Sequence, residues 1–530
     1  MRELLFLAAA LPLWGQVPHE RILNSDKEPG NWLTYSGNFA GHRFSALDQI
    51  NEANVGRLKP AWVYQANSLQ KFETTPLVVD GVMYLSEAPS HVTALDTRTG
   101  RPLWKYRRTL PDAVRVCCGE VNRGVALLGD LVFVGTLDAH LVALDARTGA
   151  VVWDVVVAPY RSGYSITVAP LAVKDKIVIG VAGGEYGVRG LLDAYDAKTG
   201  KRAWRFWTVP GPGEPGHETW TGDSWKRGSA ATWVTGAYDP ETNLIYWGTG
   251  NPGPDWNGDV RKGDNLYSDC LIAVDADSGK LKWHFQFTPH DVHDWDATEV
   301  PVLIDGEVRG QKRKLVVFPN RNAFYYVLDR TSGQFLLGKP YAQQTWAKGL
   351  DDRGRPIRLP GTFPTVEGTK VWPSVAGANN WYSPTYSPRT GLLYVAVREA
   401  GSIYFFGEAE YKEGERFDGG GFRSIPGEEE WGAVRAYDPA TGRMAWEHRL
   451  FSPPWAGLLS TAGGLVFGAT NEGQFYALSA QTGKLLWRFQ CGGNLIRSNP
   501  MSFLSGGKQY VAMAMGNALY VFGMEPPEGR

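Results

Sequence analysis

A short phrase of sequence recurs along this chain of 530 residues. Each copy ends an apolar stretch at Asp or Ser and places Gly four residues later, and in most copies Trp follows after a further four. The copies are Ala94–Gly100 with Trp104, Ala143–Gly149 with Trp153, Ala194–Gly200 with Trp204, Ala273–Gly279 with Trp283, Val327–Gly333 without Trp, Ala436–Gly442 with Trp446, and Ala477–Gly483 with Trp487. Repetition at about 40–50 residues is typical of the blades of a β-propeller.

One copy shows why the phrase predicts a blade. The strand Val142–Leu144 runs into Asp145, whose carboxylate can bond the turn backbone, and Gly149 can supply a positive φ before the chain turns back towards Trp153. Another apolar strand, Leu131–Gly135, lies upstream. Four short antiparallel strands cannot bury both faces alone, so such units close into a ring, with each Trp packed against the next unit.

The copies predict an all-β, eight-bladed β-propeller with Trp-docking motifs. Seven copies are clear, and Ser387–Gly391 resembles a worn eighth copy in the long interval between Asp329 and Asp438. The segments Ala61–Tyr64 and Ala518–Phe522 are expected to share the closing blade. Three insertions are expected to cover a site or meet a partner: Pro210–Lys226, Pro252–Asp264 and Glu408–Glu430.

The N-terminus predicts export. Arg2 and the apolar run Leu4–Leu13, with small residues near a plausible cleavage point, fit a secretory signal over residues 1–15, which leaves 16–530 as one domain; a buried N-terminal element is the alternative. No later stretch is apolar enough to span a membrane. The 54 basic and 55 acidic residues nearly cancel, which argues against nucleic acid or an anionic membrane as the main partner.

Two of the four cysteines are adjacent, Cys117 and Cys118. A disulfide between neighbours closes no long loop and strains the peptide between them, so it favours a role in a site over a role in stability. The alternative is a pair of reduced thiols on opposite faces of a strand. An exported protein meets conditions that permit the bond. Cys270 and Cys491 are isolated and are expected to be free thiols.

With the repeat, the segment Val116–Gly124 resembles the quinoprotein alcohol dehydrogenases, which use pyrroloquinoline quinone (PQQ). The resemblance runs from about Trp32 to Phe522. It implies that Cys117 and Cys118 form a disulfide plate on one face of PQQ, with Trp233 stacked on the other. It also implies that Arg123 grips a PQQ carboxylate.

The resemblance implies a full set of cofactor-binding positions: Glu73, Cys117, Cys118, Arg123, Thr167, Ala182, Gly183, Gly184, Trp233, Arg321 and Asn380. Asn379 next to Asn380 leaves the register of that contact open. Where relatives carry a hydroxyl two residues before the stacking Trp, this chain has Ala231, with Thr232 one step along. No Cys-x-x-Cys-His occurs, so the fused haem domain of some relatives is missing.

The resemblance also implies a metal site. Glu185, Asn251 and Asp294 match its oxygen ligands, which suit a hard cation. Asp294 matches the general base that takes the alcohol proton, and Arg321 matches the positively charged residue that reaches the quinone oxygens. Asp296 is two residues from Asp294; if the segment is a strand, both carboxylates lie on one face and can bind one ion, and the alternative is a surface Asp.

Asp294-Trp295-Asp296 resembles the Asp-x-Asp pattern of the lanthanide-type methanol and ethanol dehydrogenases. A trivalent ion balances one more carboxylate than Ca²⁺ does, so a lanthanide is the expected metal. His290 and His293 nearby leave zinc as an alternative to a hydrogen-bonded turn that orients Asp294.

The expected function is a periplasmic PQQ-dependent dehydrogenase that oxidises a primary alcohol to the aldehyde and passes electrons to a separate acceptor, such as a cytochrome c. A sugar or polyol dehydrogenase is the alternative that keeps PQQ. A non-catalytic propeller scaffold is the alternative of another class, but it gives no reason for Cys117, Glu185 and Asp294 to occur together. The sequence leaves the oligomeric state open, a homodimer included.

Overall fold

In the described residues the fold is built mainly from eight large sheets, largely antiparallel, that follow one another along the chain. The computed structural model describes residues 16–492 and 496–524. The predicted signal segment, residues 1–15, therefore lies outside the described residues. Within them the helical elements are short: an α-helix at His19–Leu23 and 3-10 turns at Ser25–Lys27, Val55–Arg57, Tyr160–Ser162, Gly184–Tyr186, His217–Thr219, Ser224–Arg227 and Gly258–Arg261.

The first five sheets each take four consecutive strands. The first has Leu77–Val79, Val82–Glu87, His91–Asp96 and Pro102–Tyr106, and the second has Ala126–Leu128, Leu131–Gly135, His140–Asp145 and Val151–Val156. The third has Leu171–Val173, Lys176–Gly180, Leu191–Asp196 and Arg202–Trp207. The fourth has Ala237–Asp239, Leu244–Gly248, Cys270–Asp275 and Leu281–Gln286, and the fifth has Val302–Val308, Gln311–Pro319, Phe324–Asp329 and Phe335–Pro340.

The last three sheets depart from this rule. The sixth has Thr385–Ser387, Leu392–Glu399, Trp431–Tyr437 and Met444–Leu450. The seventh has Leu459–Thr461, Leu465–Ala469, Gln474–Ser479 and Leu485–Gln490, and Phe44–Ser45 pairs with it in parallel. The eighth has Met501–Ser505, Lys508–Met515 and Ala518–Met524, with Leu58–Gln65 as its outer strand. Ala347–Leu350 pairs with Pro356–Arg358, and Thr369–Val371, Ser402–Phe406 and Gly420–Ser424 form a small sheet.

The eighth sheet joins the two ends of the described chain. Trp62 pairs with Val521, and Tyr64 pairs with Leu519. The prediction that segments near the two ends share one sheet is therefore confirmed. Because the outer strand comes from the N-terminal side, no turn links the third strand of this sheet to the fourth.

The worn repeat at Ser387–Gly391 was a wrong prediction. Those residues form the turn between the first two strands of the sixth sheet, whereas each of the seven clear copies joins the third strand of a sheet to the fourth. Between Asp329 and Asp438 lie the last strand of the fifth sheet, the two small sheets and the first three strands of the sixth sheet, so there is no additional large sheet in this described part of the chain. The eighth sheet has no copy because its outer strand is supplied by the other end of the chain.

The turn chemistry of the repeat is as predicted. In the second sheet, Asp145 Oδ1 accepts hydrogen bonds from the Thr148 N–H and hydroxyl, both at 2.8 Å. Gly149 has φ +73°, and a Cβ there would lie 2.5 Å from the Trp104 ring of the preceding sheet. The glycine is required twice, by its backbone conformation and by the indole packed on it.

The repeat tryptophans link one sheet to the next. Six indole N–H groups donate to backbone carbonyls in the following repeat turn at 2.9–3.1 Å: Trp62 to Thr97, Trp104 to Ala146, Trp153 to Ala197, Trp204 to Ala276, Trp283 to Arg330 and Trp446 to Ala480. The Trp62 bond connects the eighth sheet to the first. Trp487 faces the eighth sheet, which lacks the turn, and packs on Phe522 with ring centroids 5.5 Å apart.

Candidate active site

Every predicted site residue lines one cavity of about 570 Å³. The residues come from connections between sheets and from loops within the third, fourth and fifth sheets. They are Glu73, Cys117, Cys118, Arg123, Thr167, Ala182, Gly183, Gly184, Glu185, Trp233, Asn251, Asp294, Asp296, Arg321 and Asn380. Positions separated by up to about 300 residues in sequence therefore meet at one place, as the ring of repeats requires.

Cys117 and Cys118 form a disulfide, as predicted. It lies in the connection between the first and second sheets, at the cavity wall. The Lys71 ammonium group donates a hydrogen bond to the Cys118 carbonyl. Both sulfur atoms and one Glu185 carboxylate oxygen lie within 4.8 Å of one another. The disulfide and a predicted metal ligand therefore share the same part of the cavity.

Arg123 is held by contacts with four other side chains of the cavity. Its guanidinium lies 2.8 Å from the Glu73 carboxylate and donates to the Thr167 hydroxyl at 2.9 Å. It also lies over the rings of Trp233 and Trp381, at 4.9 and 4.6 Å from the ring centroids. These contacts fix the planar guanidinium in one orientation, which is the arrangement that recognises a carboxylate.

Small residues bring backbone close to the cavity on the third sheet. A Cβ on Gly183 would lie 2.2 Å from the Gly163 carbonyl oxygen, and one on Gly184 would lie 2.3 Å from the Ser229 hydroxyl. Thr232 does not replace the hydroxyl that is missing at Ala231: it is fully buried, and its Oγ1 donates to the Leu191 carbonyl at 2.5 Å.

Asn380, and not Asn379, faces the cavity. Its amide nitrogen donates to the Ala376 carbonyl at 2.8 Å, and its Oδ1 accepts the Trp381 N–H at 2.9 Å. Asn379 is buried, and its side-chain oxygen accepts the N–H of Asn380. Of the two residues, Asn380 is therefore the one placed to contact a molecule in the cavity.

The acidic side of the cavity lies in an irregular segment between the fourth and fifth sheets. Asp294 and Asp296 were predicted to share a face of a strand, and that is wrong: the segment is a loop, and Asp294 has φ +59°. The Asp291 carboxylate shapes the loop by accepting the N–H groups of His293 and Trp295 at 3.1 and 2.8 Å. The hydrogen-bonded turn that the sequence offered as an orienting device for Asp294 is therefore present.

The two histidines of this segment do not form a zinc site. Nδ1 of His290 lies 2.8 Å from the Gly263 carbonyl, and Nε2 of His293 lies 2.8 Å from the Thr362 carbonyl. His293 is fully buried and stacks on Trp295, with ring centroids 4.3 Å apart. Neither ring lines the cavity, and burial lowers the pKa of both imidazoles.

Arg321 and Asp296 form the strongest ion pair of the acidic side. Arg321 Nη1 lies 2.6 Å from Asp296 Oδ2, and the other Asp296 oxygen accepts the Asn251 N–H at 2.7 Å. Arg321 Nη2 donates to the Asp294 backbone carbonyl at 2.5 Å and lies 3.9 Å from its carboxylate. One guanidinium therefore contacts both residues of the Asp-x-Asp pair.

The predicted metal ligands are close but not gathered. Among the described residues, oxygens of Glu185, Asp294 and Asp296 do not all lie within 4.8 Å of one another. Enclosure in the cavity raises the pKa of the Glu185 carboxyl to about 7 and raises the pKa of Asp294 well above its ordinary range, although Arg321 opposes the second increase. Burial is the main cause of both pKa increases, and the neighbouring carboxylates add to it.

Several cavity residues were not predicted from the sequence. They are Lys71, Asp255, Trp256, Trp381, Arg398, Phe422, Trp455 and Arg497, among others. Lys71 is two residues from Glu73, a spacing that could have suggested a shared face, and Asp255 lies in an insertion expected to cover a site. The sequence around Arg398 and Arg497 does not mark them as site residues, because only the closed arrangement of the sheets brings them together. Their guanidinium groups lie 4.3 and 5.2 Å from the centroid of the Trp455 indole.

Comparison with known proteins agrees with this fold. The family model for the glucose/ethanol/alcohol dehydrogenase β-propeller domain matches residues 32–339, and the one for outer membrane protein assembly factor BamB matches 430–522. The fold and the cavity thus define a dehydrogenase of the propeller type.

Individual relatives narrow this class. The chain is 43% identical to quinoprotein alcohol dehydrogenase PedH of Pseudomonas putida, over 94% of this chain and 88% of that protein. It is 39% identical to a lanthanide-dependent methanol dehydrogenase of Methylacidiphilum fumariolicum, over 96% and 88%. A europium-containing methanol dehydrogenase superposes with a TM-score of 0.89 at 35% identity, over 95% of this chain and 100% of that one.

The chain belongs to the quinoprotein alcohol dehydrogenases. It is an enzyme that oxidises alcohols with PQQ. Within the described residues, no helix has the length and apolar character needed to cross a membrane.

Proposed function

We propose that this protein is an exported quinoprotein dehydrogenase that oxidises a primary alcohol to the aldehyde and uses a lanthanide ion. The observation that carries the proposal is the meeting of the vicinal disulfide, Arg123 and Asp294 in one cavity. Residues 1–15 are a signal peptide in this proposal. Residues 16–530 form one eight-bladed propeller in the periplasm, whose eight blades are the eight sheets and whose blades dock through the repeat tryptophans.

The basic side of the cavity fits PQQ, which carries three carboxylates. Arg123 and Thr167 bind one carboxylate, and Glu73 holds the Arg123 guanidinium at 2.8 Å. Cys117, Cys118 and Trp233 would hold the PQQ ring, with the disulfide on one face and the indole on the other. Gly183 and Gly184 let the backbone approach the cofactor, and Asn380 is a polar contact.

The acidic side fits a trivalent cation. Glu185, Asp294 and Asp296 bring three carboxylates to one cavity, and Asn251 brings a neutral amide oxygen. Hard oxygen donors suit both Ca²⁺ and the lanthanides. Three carboxylates near an anionic cofactor leave a divalent ion with uncompensated repulsion, so the charge favours a lanthanide such as La³⁺ or Ce³⁺.

The catalytic work of the chain is to bind the alcohol and remove its hydroxyl proton. When bound, PQQ would supply the hydride acceptor, and the metal ion would supply Lewis acidity. Asp294 is the general base: its side chain is 27% exposed, so a substrate in the cavity can reach it. Arg321 stabilises negative charge that develops beside Asp294, since its guanidinium contacts both acidic residues of the loop.

Electrons leave to a separate acceptor in this proposal, a small cytochrome c being the expected class. The test is to mix the purified protein with PQQ and a metal salt, to follow the PQQ absorbance, and then to screen alcohols with an artificial electron acceptor. The expected result is a bound-cofactor spectrum and turnover of primary alcohols. Turnover of sugars or polyols alone would contradict the proposed substrate class, and the absence of any turnover with bound PQQ would contradict the proposal as a whole.

A further inference from the structure

A fourth carboxylate, that of Asp255, reaches the acidic side of the cavity without belonging to the predicted ligand set. Asp255 lies in the loop that follows the second strand of the fourth sheet, four residues after Asn251. It is only 2% exposed, and the surface that it retains lines the cavity. A buried carboxylate that is not paired with a base needs a compensating partner.

Asp255 fixes the orientation of the Asn251 amide. Asn251 Nδ2 donates to Asp255 Oδ1 at 2.8 Å and to the Pro252 carbonyl at 3.4 Å. The amide hydrogens are thereby directed at the protein. Within the described parts of the chain, no hydrogen bond reaches Asn251 Oδ1, so that oxygen is the atom left to bind a cation.

The second oxygen of Asp255 is also without a partner. No donor among residues 16–492 and 496–524 forms a hydrogen bond to Oδ2. Three acidic side chains, Glu185, Asp418 and Asp296, interact electrostatically with Asp255, and the guanidinium groups of Arg261 and Arg416 do so as well. Asp418 differs because Arg416 pairs with it at 2.6 Å, whereas no base pairs with Asp255 in the described chain.

We infer that Asp255 is a positioning residue of the metal site: it holds Asn251 with Oδ1 facing the ion and adds a fourth negative charge beside it. The inference rests on the proposed function and deepens it, because a fourth carboxylate further favours a trivalent ion over a divalent one. Residues that orient metal ligands typically change metal affinity about 10–100-fold when they are replaced.

The test uses Eu³⁺ as the probe in the PQQ-loaded full-length protein. Eu³⁺ affinity is measured by competition with a chelator, and the number of coordinated waters is obtained from luminescence lifetimes in H₂O and D₂O. The variants are Asp255→Ala, which removes the charge and the acceptor, and Asp255→Asn, which removes the charge but keeps an acceptor for Asn251. Asp239→Asn is the matched control, since it removes a buried carboxylate that lies outside the cavity wall and does not contact Asn251. Circular dichroism verifies that each variant is folded.

Asp255→Ala is expected to lower Eu³⁺ affinity about 10–100-fold and to add about one coordinated water, because Asn251 is released. Asp255→Asn is expected to lose affinity without gaining that water, and Asp239→Asn is expected to match the unsubstituted protein in both measurements. Unchanged affinity and water number in Asp255→Ala would overturn the inference, and so would the same extra water in Asp255→Asn. Failure of the unsubstituted protein to bind Eu³⁺ would refute the proposed function, and this inference with it. That outcome is distinguishable from failure of the inference alone, because it is measured on the unsubstituted protein.

Discussion

Asp296→Asn is the substitution that most directly tests why this site favours a trivalent ion. It keeps the size and one acceptor oxygen of the side chain but removes its charge. In the structure that charge is 2.6 Å from Arg321, and the two side chains are 7% and 5% exposed. The variant therefore loses both a carboxylate of the proposed metal site and the partner of a buried guanidinium.

The effect on metal choice follows from charge. Two unit charges about 4 Å apart interact with about 4 kcal/mol at an effective dielectric constant of about 20. La³⁺ carries one more unit charge than Ca²⁺, so the loss of one carboxylate costs La³⁺ up to about 4 kcal/mol more. That difference is about three powers of ten in the ratio of the two affinities. The unpaired Arg321 charge acts in the same direction, since it repels the trivalent ion more.

The assay is a chelator-buffered titration of the PQQ-loaded protein with La³⁺ and with Ca²⁺, followed by PQQ absorbance. The matched control is Asp239→Asn, which breaks another buried pair: Asp239 lies 2.8 Å from Arg330, with side chains 4% and 7% exposed, outside the cavity wall. Both variants are expected to lose folding stability, but only Asp296→Asn is expected to reduce the preference for La³⁺. An unchanged affinity ratio in Asp296→Asn would refute the reasoning from charge.

Three further predictions follow from single contacts. Asp294→Asn should lower turnover about 10²–10⁴-fold while PQQ affinity is unchanged, because it removes the general base and no proposed cofactor contact; equal losses of both would contradict this role. Arg123→Met should weaken PQQ binding by about 1.5–3 kcal/mol, measured by fluorescence titration, since a charge-assisted bond is lost, and wild-type affinity would contradict it. The Asp138 carboxylate accepts a hydrogen bond from the Arg108 guanidinium at 2.5 Å. Burial raises the pKa of Asp138, but the hydrogen bonds from Arg108 and Thr136 outweigh it and lower the pKa in the folded protein. The ionised Asp138 therefore stabilises the fold above the unfolded pKa of about 4, and this stabilisation is lost as pH falls through the lower folded pKa. Asp138→Asn should cost about 1.5–3 kcal/mol at neutral pH and less in acid, by denaturant unfolding, and an equal loss at both pH values would contradict the linkage.

Much of the fold was predictable because the repeat encodes it locally. Asp145, Thr148 and Gly149 specify a turn, and Trp104 specifies what that turn packs against. The eighth sheet was harder to place. It has no repeat turn, because its outer strand comes from the other end of the chain, and Ser387–Gly391 imitated the missing copy.

The site was predictable only where a family motif marks it. Cys117, Arg123 and Asp294 lie in recognisable segments, and they line one cavity as expected. Arg398 and Arg497 were missed because nothing near them in sequence differs from an ordinary strand or loop residue. The Asp294 loop was mistaken for a strand, because alternation over three residues cannot reveal the positive φ of Asp294 or the Asp291 bonds that stabilise it.

The central claim is that alcohol oxidation here depends on PQQ and a lanthanide. It is tested most directly by the initial rate of primary-alcohol oxidation, with an artificial electron acceptor, in apo-protein reconstituted with PQQ plus either La³⁺ or Ca²⁺. The account predicts turnover with PQQ and La³⁺, and much slower turnover with PQQ and Ca²⁺. Equal or faster turnover with Ca²⁺, or turnover without PQQ, would contradict it.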